Sequence, residues 1–308
     1  MPRIAIVGAG LIGRSWAIVF ARGGWDVRLT DPSAEALARA PALIRQGLDD
    51  FAAHGLVQDP AAAAARVSVA SSLAEAVEGV EIVQESGPEV LEVKQRLFAE
   101  LDRAAPREAI LASSTSFIVA SRFSEGLPGR ERCMVAHPVN PPHLAPIVEL
   151  CGAPWTAPRF IEKAHAIFAS VDQAPIVVHR EVDGFVLNRL QAALLAESFR
   201  LVGEGVVSPQ DLDKTIKDGL GLRWSFMGPF ETIELNAPGG IPDYCARYAE
   251  SLRRLSADPA PPAVWGPENV QRIVEAWGRT PSPADVLERS AWRDRRLTAL
   301  KAHKAAQS

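Results

Sequence analysis

The chain has 308 residues, with 33 lysines and arginines against 37 aspartates and glutamates, for a net charge of −4 at neutral pH. That balance offers no basic footprint for nucleic acid or an anionic membrane, and no apolar run approaches the ~20 residues of a membrane span, so neither partner is expected. Cys133, Cys151 and Cys245 are odd in number and form no C-x-x-C pair, which reads as free packing thiols in a cytoplasmic protein of about two domains, with no metal site.

In chain order, Ile4 to Val7 reads as an apolar strand that enters at once, without a cleavable leader. Gly8, Gly10 and Gly13 follow, then an apolar helix and a second strand ending at Asp31. The first glycine lies directly after a strand, the third opens a helix, and an acid follows Gly8 by 23 residues, near the ~20 expected of a dinucleotide fingerprint. Gly8 permits the tight turn, Gly10 lets the pyrophosphate approach the backbone, and Gly13 lets the helix lie close on the sheet. Asp31 would accept from the adenosine ribose hydroxyls and repel a 2′-phosphate, which favours NAD over NADP. Arg28 would soften that choice if it pointed the same way.

Further strands are expected at 67–70, 80–84, 109–112, 132–136 and 175–178. Between the second and third lies a long helical segment, about 33–53, and then a short helix at Ala61 to Ala65 behind the capping pair Asp59 and Pro60. From Gly184 the periodicity is helical alone, carried by Phe185, Leu187, Leu190, Leu194 and Leu195 to about Val202. Interruptions are expected at Gly219 to Gly221, at Pro238 to Gly240, and at Asp258 to Pro262, which precedes two terminal helices. The fold class is therefore α/β: a Rossmann-type, doubly wound, mostly parallel sheet over residues 1–182, then an all-α domain over 183–308.

The segment Ala136-His137-Pro138-Val139-Asn140-Pro141-Pro142, followed by Ile147-Val148-Glu149-Leu150, joins a histidine to a carboxylate through a proline-rich turn. Oxidising a secondary alcohol requires a base for the hydroxyl proton, and imidazole titrates near the working pH. Glu149 on the second ring nitrogen would fix the tautomer and stabilise imidazolium. A histidine satisfied in a loop beside an exposed glutamate is the alternative. Ser114, Thr115 and Ser116 follow the strand at 109–112, at the ligand-binding end of such a sheet, where a helix cap is the plainer role. Asn188 lies in an apolar helix and needs partners if buried.

The motifs GAGLIG, PEVLEVKQRLF, SSTSF, HPVNPP with VEL, and GFVLNRL resemble the 3-hydroxyacyl-CoA dehydrogenase superfamily. HPVNPP, LVGEGVVSPQDLD and GLGLRWSFMGPFE look more like its lambda-crystallin branch than like the fatty-acid enzymes. The similarity runs from about residue 3 to residue 300. It implies His137 as catalytic base, Glu149 as its paired carboxylate, Ser116 and Asn188 as holders of the reacting oxygen, and Asn140 beside the nicotinamide. It also implies that Leu11, Ile12, Asp31, Glu89 and Lys94 contact the cofactor and that the subunits form a homodimer through their helical domains.

The activity implied is NAD-dependent oxidation of the 3-hydroxyl of a hydroxy acid, with L-gulonate going to 3-dehydro-L-gulonate. Arg223, in Leu222-Arg223-Trp224, supports a free acid, because a guanidinium grips a carboxylate bidentately and a thioester offers no such charge. The alternatives are 3-hydroxyacyl-CoA or L-carnitine dehydrogenation, with Trp224 or Phe226 facing carnitine's ammonium, and a structural crystallin-like role without activity. His143, six residues past His137, sits in the same loop; a zinc site from His137, His143 and Glu149 matches no standard ligand spacing.

Overall fold

The computed structural model describes residues 1–307, which form two compact units. The first holds an eight-stranded sheet of β1 (Arg3–Val7), β2 (Asp26–Thr30), β3 (Val67–Val69), β4 (Ile82–Glu85), β5 (Ile110–Ser113), β6 (Cys133–Pro138), β7 (Ile147–Gly152) and β8 (Ala174–Val178). Its order is β3-β2-β1-β4-β5-β6-β7-β8. All neighbours run parallel except β6 and β7. The chain winds outward from β1 to β3 and then crosses to β4 on the other side of β1. Ligands bind at such a reversal, outside the carboxyl ends of the strands.

Around the sheet lie α1 (Leu11–Arg22), α2 (Ala34–Ala52), α3 (Pro60–Ala65), α4 (Leu73–Val77), α5 (Leu91–Ala104), α6 (Ala120–Ser124) and α7 (Pro158–Ser170). Alternation along each strand feeds two apolar layers. Ile4 and Ile6 pack with Trp16, Phe20, Leu29 and Phe168 on one face. Ala5 and Val7 pack with Phe98, Leu111, Phe123 and Phe185 on the other. The short alanine helix α3 forms as expected, with Asp59 accepting from the Ala62 N–H at 2.8 Å.

Helix α8 (Leu187–Gly203) starts in this unit, which runs to Asn188 and resumes at Val286. The final helix therefore belongs with the sheet, whereas the sequence reading put everything after residue 182 in the helical domain. The second unit, Arg189–Asp285, contains the rest of α8, α9 (Pro209–Lys214), α10 (Gly221–Trp224), α11 (Pro229–Glu234), α12 (Gly240–Ser256) and α13 (Pro267–Trp277); α14 is Pro283–Ala305.

Three local expectations change. The stretch around Glu149, absent from the expected strands, forms β7 and is a full member of the sheet. Gly219 to Gly221 do not break the helix, because a π-turn over Thr215–Leu220 carries the chain into α10. Cys133 and Cys151 are buried, and burial pushes both thiols up to about 12, but Cys245 is exposed on α12 and does not pack in a core.

Candidate functional site

Two groups of side chains meet at the carboxyl end of the sheet. The first surrounds the glycine turn. Gly8 has φ +112°, and a Cβ there would lie 2.5 Å from the Ser86 carbonyl oxygen. A Cβ on Gly13 would lie 1.7 Å from the Gly8 carbonyl oxygen, so α1 can sit this close only without one. A Cβ on Gly10 would meet nothing within 4 Å. Close backbone packing thus explains two glycines, while the third faces open space. The first turn of α1 has no side-chain cap and no acidic residue, which leaves helix N–H groups for an anion.

Asp31 closes this turn. Its Oδ2 accepts from the Ala9 N–H and its Oδ1 from the Ser33 N–H, both at 2.7 Å. Each oxygen keeps a lone pair for a ribose hydroxyl. Arg28 points elsewhere: its guanidinium donates to the Glu75 and Glu78 carbonyls, so it does not stand in for a 2′-phosphate partner. Leu11 is exposed at the mouth of the turn, and Ile12 is half-buried against the core. These features fit a bound dinucleotide.

Glu89 and Lys94 separate in role. Glu89 Oε1 accepts from the Thr115 hydroxyl and from the N–H groups of Ser116 at 3.1 Å and Phe117 at 2.9 Å, shaping the loop after β5. Lys94 is 1% exposed and donates to both carboxylate oxygens of Glu85, at 3.0 and 2.9 Å, with Glu89 3.7 Å away. Glu85 also accepts from the Gly87 N–H at 2.6 Å and from the Ser113 hydroxyl. The sequence reading missed Glu85; its one signal was a lone acid ending a buried parallel strand.

The second group gathers at the start of α8. His137 and Glu149 are register partners in the antiparallel β6–β7 pair, on the face that also holds Phe185. His137 Nδ1 lies 2.7 Å from Glu149 Oε2, and both residues are buried. Glu149 Oε1 accepts from the N–H groups of Val186 at 2.8 Å and Leu187 at 2.9 Å. Burial pushes the Glu149 carboxyl up, but the His137 bond and these two N–H bonds outweigh it and hold it below the usual carboxylate value. The turn that aims those N–H groups uses Gly184 at φ +76° and Phe185 at φ +48°, and the Phe185 ring lies tilted against the imidazole with ring centres 5.5 Å apart. The sequence places Phe185 only in the helical pattern after Gly184; instead it lies in the turn before α8, against His137.

Asn188, one residue into α8, donates from Nδ2 to the Ser116 carbonyl at 3.0 Å. The same helix start therefore fixes Glu149 and ties the loop bearing Ser116 to it. Ser114 serves structure instead, taking bonds from Trp16 Nε1 at 3.1 Å and Gln84 Nε2 at 2.7 Å. Asn140 is exposed on the β6–β7 connection. Arg223 lies on α10 in the other unit, with no carboxylate in ion-pair reach among the described residues.

Comparisons with known proteins agree with this architecture. Residues 3–182 match the NAD binding domain of 3-hydroxyacyl-CoA dehydrogenase, and residues 184–264 match its C-terminal domain. The chain is 42% identical to the lambda-crystallin homolog of Rattus norvegicus over 296 residues, 94% of this chain and 92% of that protein. It is 39% identical to an L-carnitine dehydrogenase of Pseudomonas sp over 258 residues, 81% of this chain and 77% of that one. Among solved structures it resembles a 5-formyl-3-hydroxy-2-methylpyridine 4-carboxylic acid 5-dehydrogenase, described as an NAD+ dependent dismutase, at 28% identity with TM-score 0.84, covering 98% of this chain and 97% of that one. No helix among the described residues is long and apolar enough to cross a membrane. The chain belongs to the lambda-crystallin branch of the 3-hydroxyacyl-CoA dehydrogenase family and is an NAD-dependent hydroxy acid dehydrogenase acting on a small molecule.

Proposed function

We propose that the chain oxidises the 3-hydroxyl of a free hydroxy acid, L-gulonate to 3-dehydro-L-gulonate, using NAD+ in preference to NADP+. The observation that carries this reading is the buried His137–Glu149 pair. An ionised carboxylate only accepts hydrogen bonds, so the shared proton sits on His137 Nδ1 and the lone pair sits on Nε2. Nε2 takes the hydroxyl proton, and Glu149 balances the charge that develops on the ring. Bound NAD+ supplies the hydride acceptor.

The Ser116 hydroxyl and the Asn188 amide hold the reacting oxygen, and Asn140 flanks the nicotinamide. Leu11, Ile12 and Glu89 border the cofactor, Asp31 holds its ribose, and Lys94 acts through Glu85 and Glu89. Arg223 receives the substrate carboxylate, a role supported by its lack of an acidic partner in its own unit. The division of labour between sheet and helical domains follows the same reading. So does a homodimer: the helical unit leaves Leu222, Phe226, Phe230, Leu235 and Leu255 exposed, apolar side chains that a second copy would cover.

L-carnitine is the second reading. It is favoured by the dehydrogenases of that name among the relatives and by the exposed rings of Trp224 and Phe226, which suit a quaternary ammonium. The test is NADH formation by the purified chain with L-gulonate, L-carnitine and 3-hydroxybutyryl-CoA. The expected result is the highest kcat/KM with L-gulonate. Strong turnover of the acyl-CoA with none of either free acid would overturn the proposal, and no turnover of any would favour a crystallin-like structural role.

A further inference from the structure

Within the sheet unit, a cavity of about 380 Å³ lies between α1, α2, α14 and the loop joining β6 to β7. That is within the range of small-molecule sites, and His137 does not line it. Its floor is apolar, made by the buried Ile18, Phe51 and Leu144, and Leu43 and the exposed Leu11 also line it. Its polar wall carries Arg14, Arg295, His54 and His143 against Asp50 and Asp294.

The charges do not balance. Asp294 is already paired with Arg293 at 2.8 Å, which leaves Asp50 as the one unpaired acid of the lining against Arg14 and Arg295, neither of which has a carboxylate in ion-pair reach among the described residues. Behind the floor, the Arg22 guanidinium carbon and Lys301 Nζ lie 5.5 and 5.9 Å from the centre of the Phe51 ring. Lys301 donates to the His143 carbonyl at 3.2 Å, and the nearest acid to Arg22 is the exposed Asp172 at 3.5 Å. Burial, with Lys301, Arg22 and Arg293 nearby, pushes the His143 imidazole down to about 4. Burial beside Arg22 pushes Lys301 down to about 8. Neutral His143 then keeps a buried Nδ1 with no partner among the described residues. A buried polar atom is seldom left so, and surplus positive charge over an apolar floor is the chemistry of an amphipathic anion.

We infer that this cavity is a second ligand site, built for a small organic acid with one carboxylate on an apolar body of about one ring, separate from the reaction centre at His137. The site is coupled to the cofactor turn, because Leu11 and Arg14 belong to the start of α1 and Arg14 donates to the Ala9 carbonyl at 2.9 Å. Binding of the acid and of NAD therefore alter one another's affinity by the same factor. The inference does not depend on which hydroxy acid is oxidised.

Calorimetric titration of the full chain with benzoate, and with benzamide as its uncharged counterpart, tests this. Benzoate is expected to bind about tenfold tighter than benzamide or better, and its affinity is expected to shift when NAD is saturating. Arg295→Gln should weaken benzoate about fivefold, and Ala291→Phe, on the exposed cavity wall, should abolish its binding; turnover at saturating substrate should stay within about twofold in both. Equal affinity for acid and amide would overturn the inference. So would benzoate binding that survives Ala291→Phe and disappears in His137→Gln, which would assign the acid to the reaction centre.

Discussion

His137 and Glu149 face one another across the antiparallel β6–β7 ladder, and their 2.7 Å contact follows from that register. The proline-rich loop between them serves to reverse the chain so that a base and its carboxylate arrive on one face. Removing the charge while keeping the shape, as in Glu149→Gln, should lower kcat by about 10²-fold, with the KM for NAD unchanged. It should also change how stability depends on pH. The folded carboxyl is held below its ordinary value of 4.5, so its contribution is complete above about that pH and fades as pH falls through the lower folded value. Urea midpoints of wild type and variant should therefore converge as pH drops below about 4.5. A constant gap down to low pH would contradict this.

The glycines of the cofactor turn make opposite predictions. Gly13→Ala drives a Cβ into the Gly8 carbonyl, so the variant should lose stability severely or fail to accumulate. Gly10→Ala meets open space and an ordinary backbone conformation, so its melting temperature should stay close to wild type while NAD affinity falls about tenfold or more. Melting curves and NAD titrations separate the two effects. Unchanged NAD binding in Gly10→Ala would mean that the dinucleotide does not pass over this turn.

Lys94 and Glu85 form a buried ion pair at 2.9 Å. Lys94→Met strands the Glu85 carboxylate and should cost about 3–5 kcal/mol in chemical denaturation. The double variant Lys94→Met with Glu85→Gln should recover much of that loss, since no unpaired charge remains. If Lys94→Met instead left stability intact and weakened only NAD, the lysine would be a direct cofactor ligand.

Arg223 tests the free-acid reading. Arg223→Ala should raise the KM for a 3-hydroxy carboxylate by about tenfold or more and leave that for its methyl ester nearly unchanged. Equal effects on acid and ester would remove the carboxylate clamp.

Local signals were legible where geometry leaves one choice. Gly8, Gly13, Asp31 and the Asp59 cap announce themselves because turns and helix starts restrict residue type within a few positions. His137 with Glu149 was legible as a pair, but the strand status of Ile147–Gly152 was not, because an acid inside a short apolar run argues against a buried strand until its partner is known. Glu85 was hidden for the same reason: its charge is compensated by Lys94 and Ser113, on two other elements of the fold. The return of the chain from Val286 to the sheet unit has no local signature, since helical periodicity does not say what a helix packs against.

The most direct measurement is single-turnover kinetics of His137→Gln with NAD+ and L-gulonate, alongside NAD affinity for the same variant. With imidazole as the base that accepts the hydroxyl proton, the rate of the chemical step should fall by about 10²- to 10⁴-fold while NAD binds within about twofold of wild type. A chemical step within a few fold of wild type, with the cofactor still bound, would contradict the account.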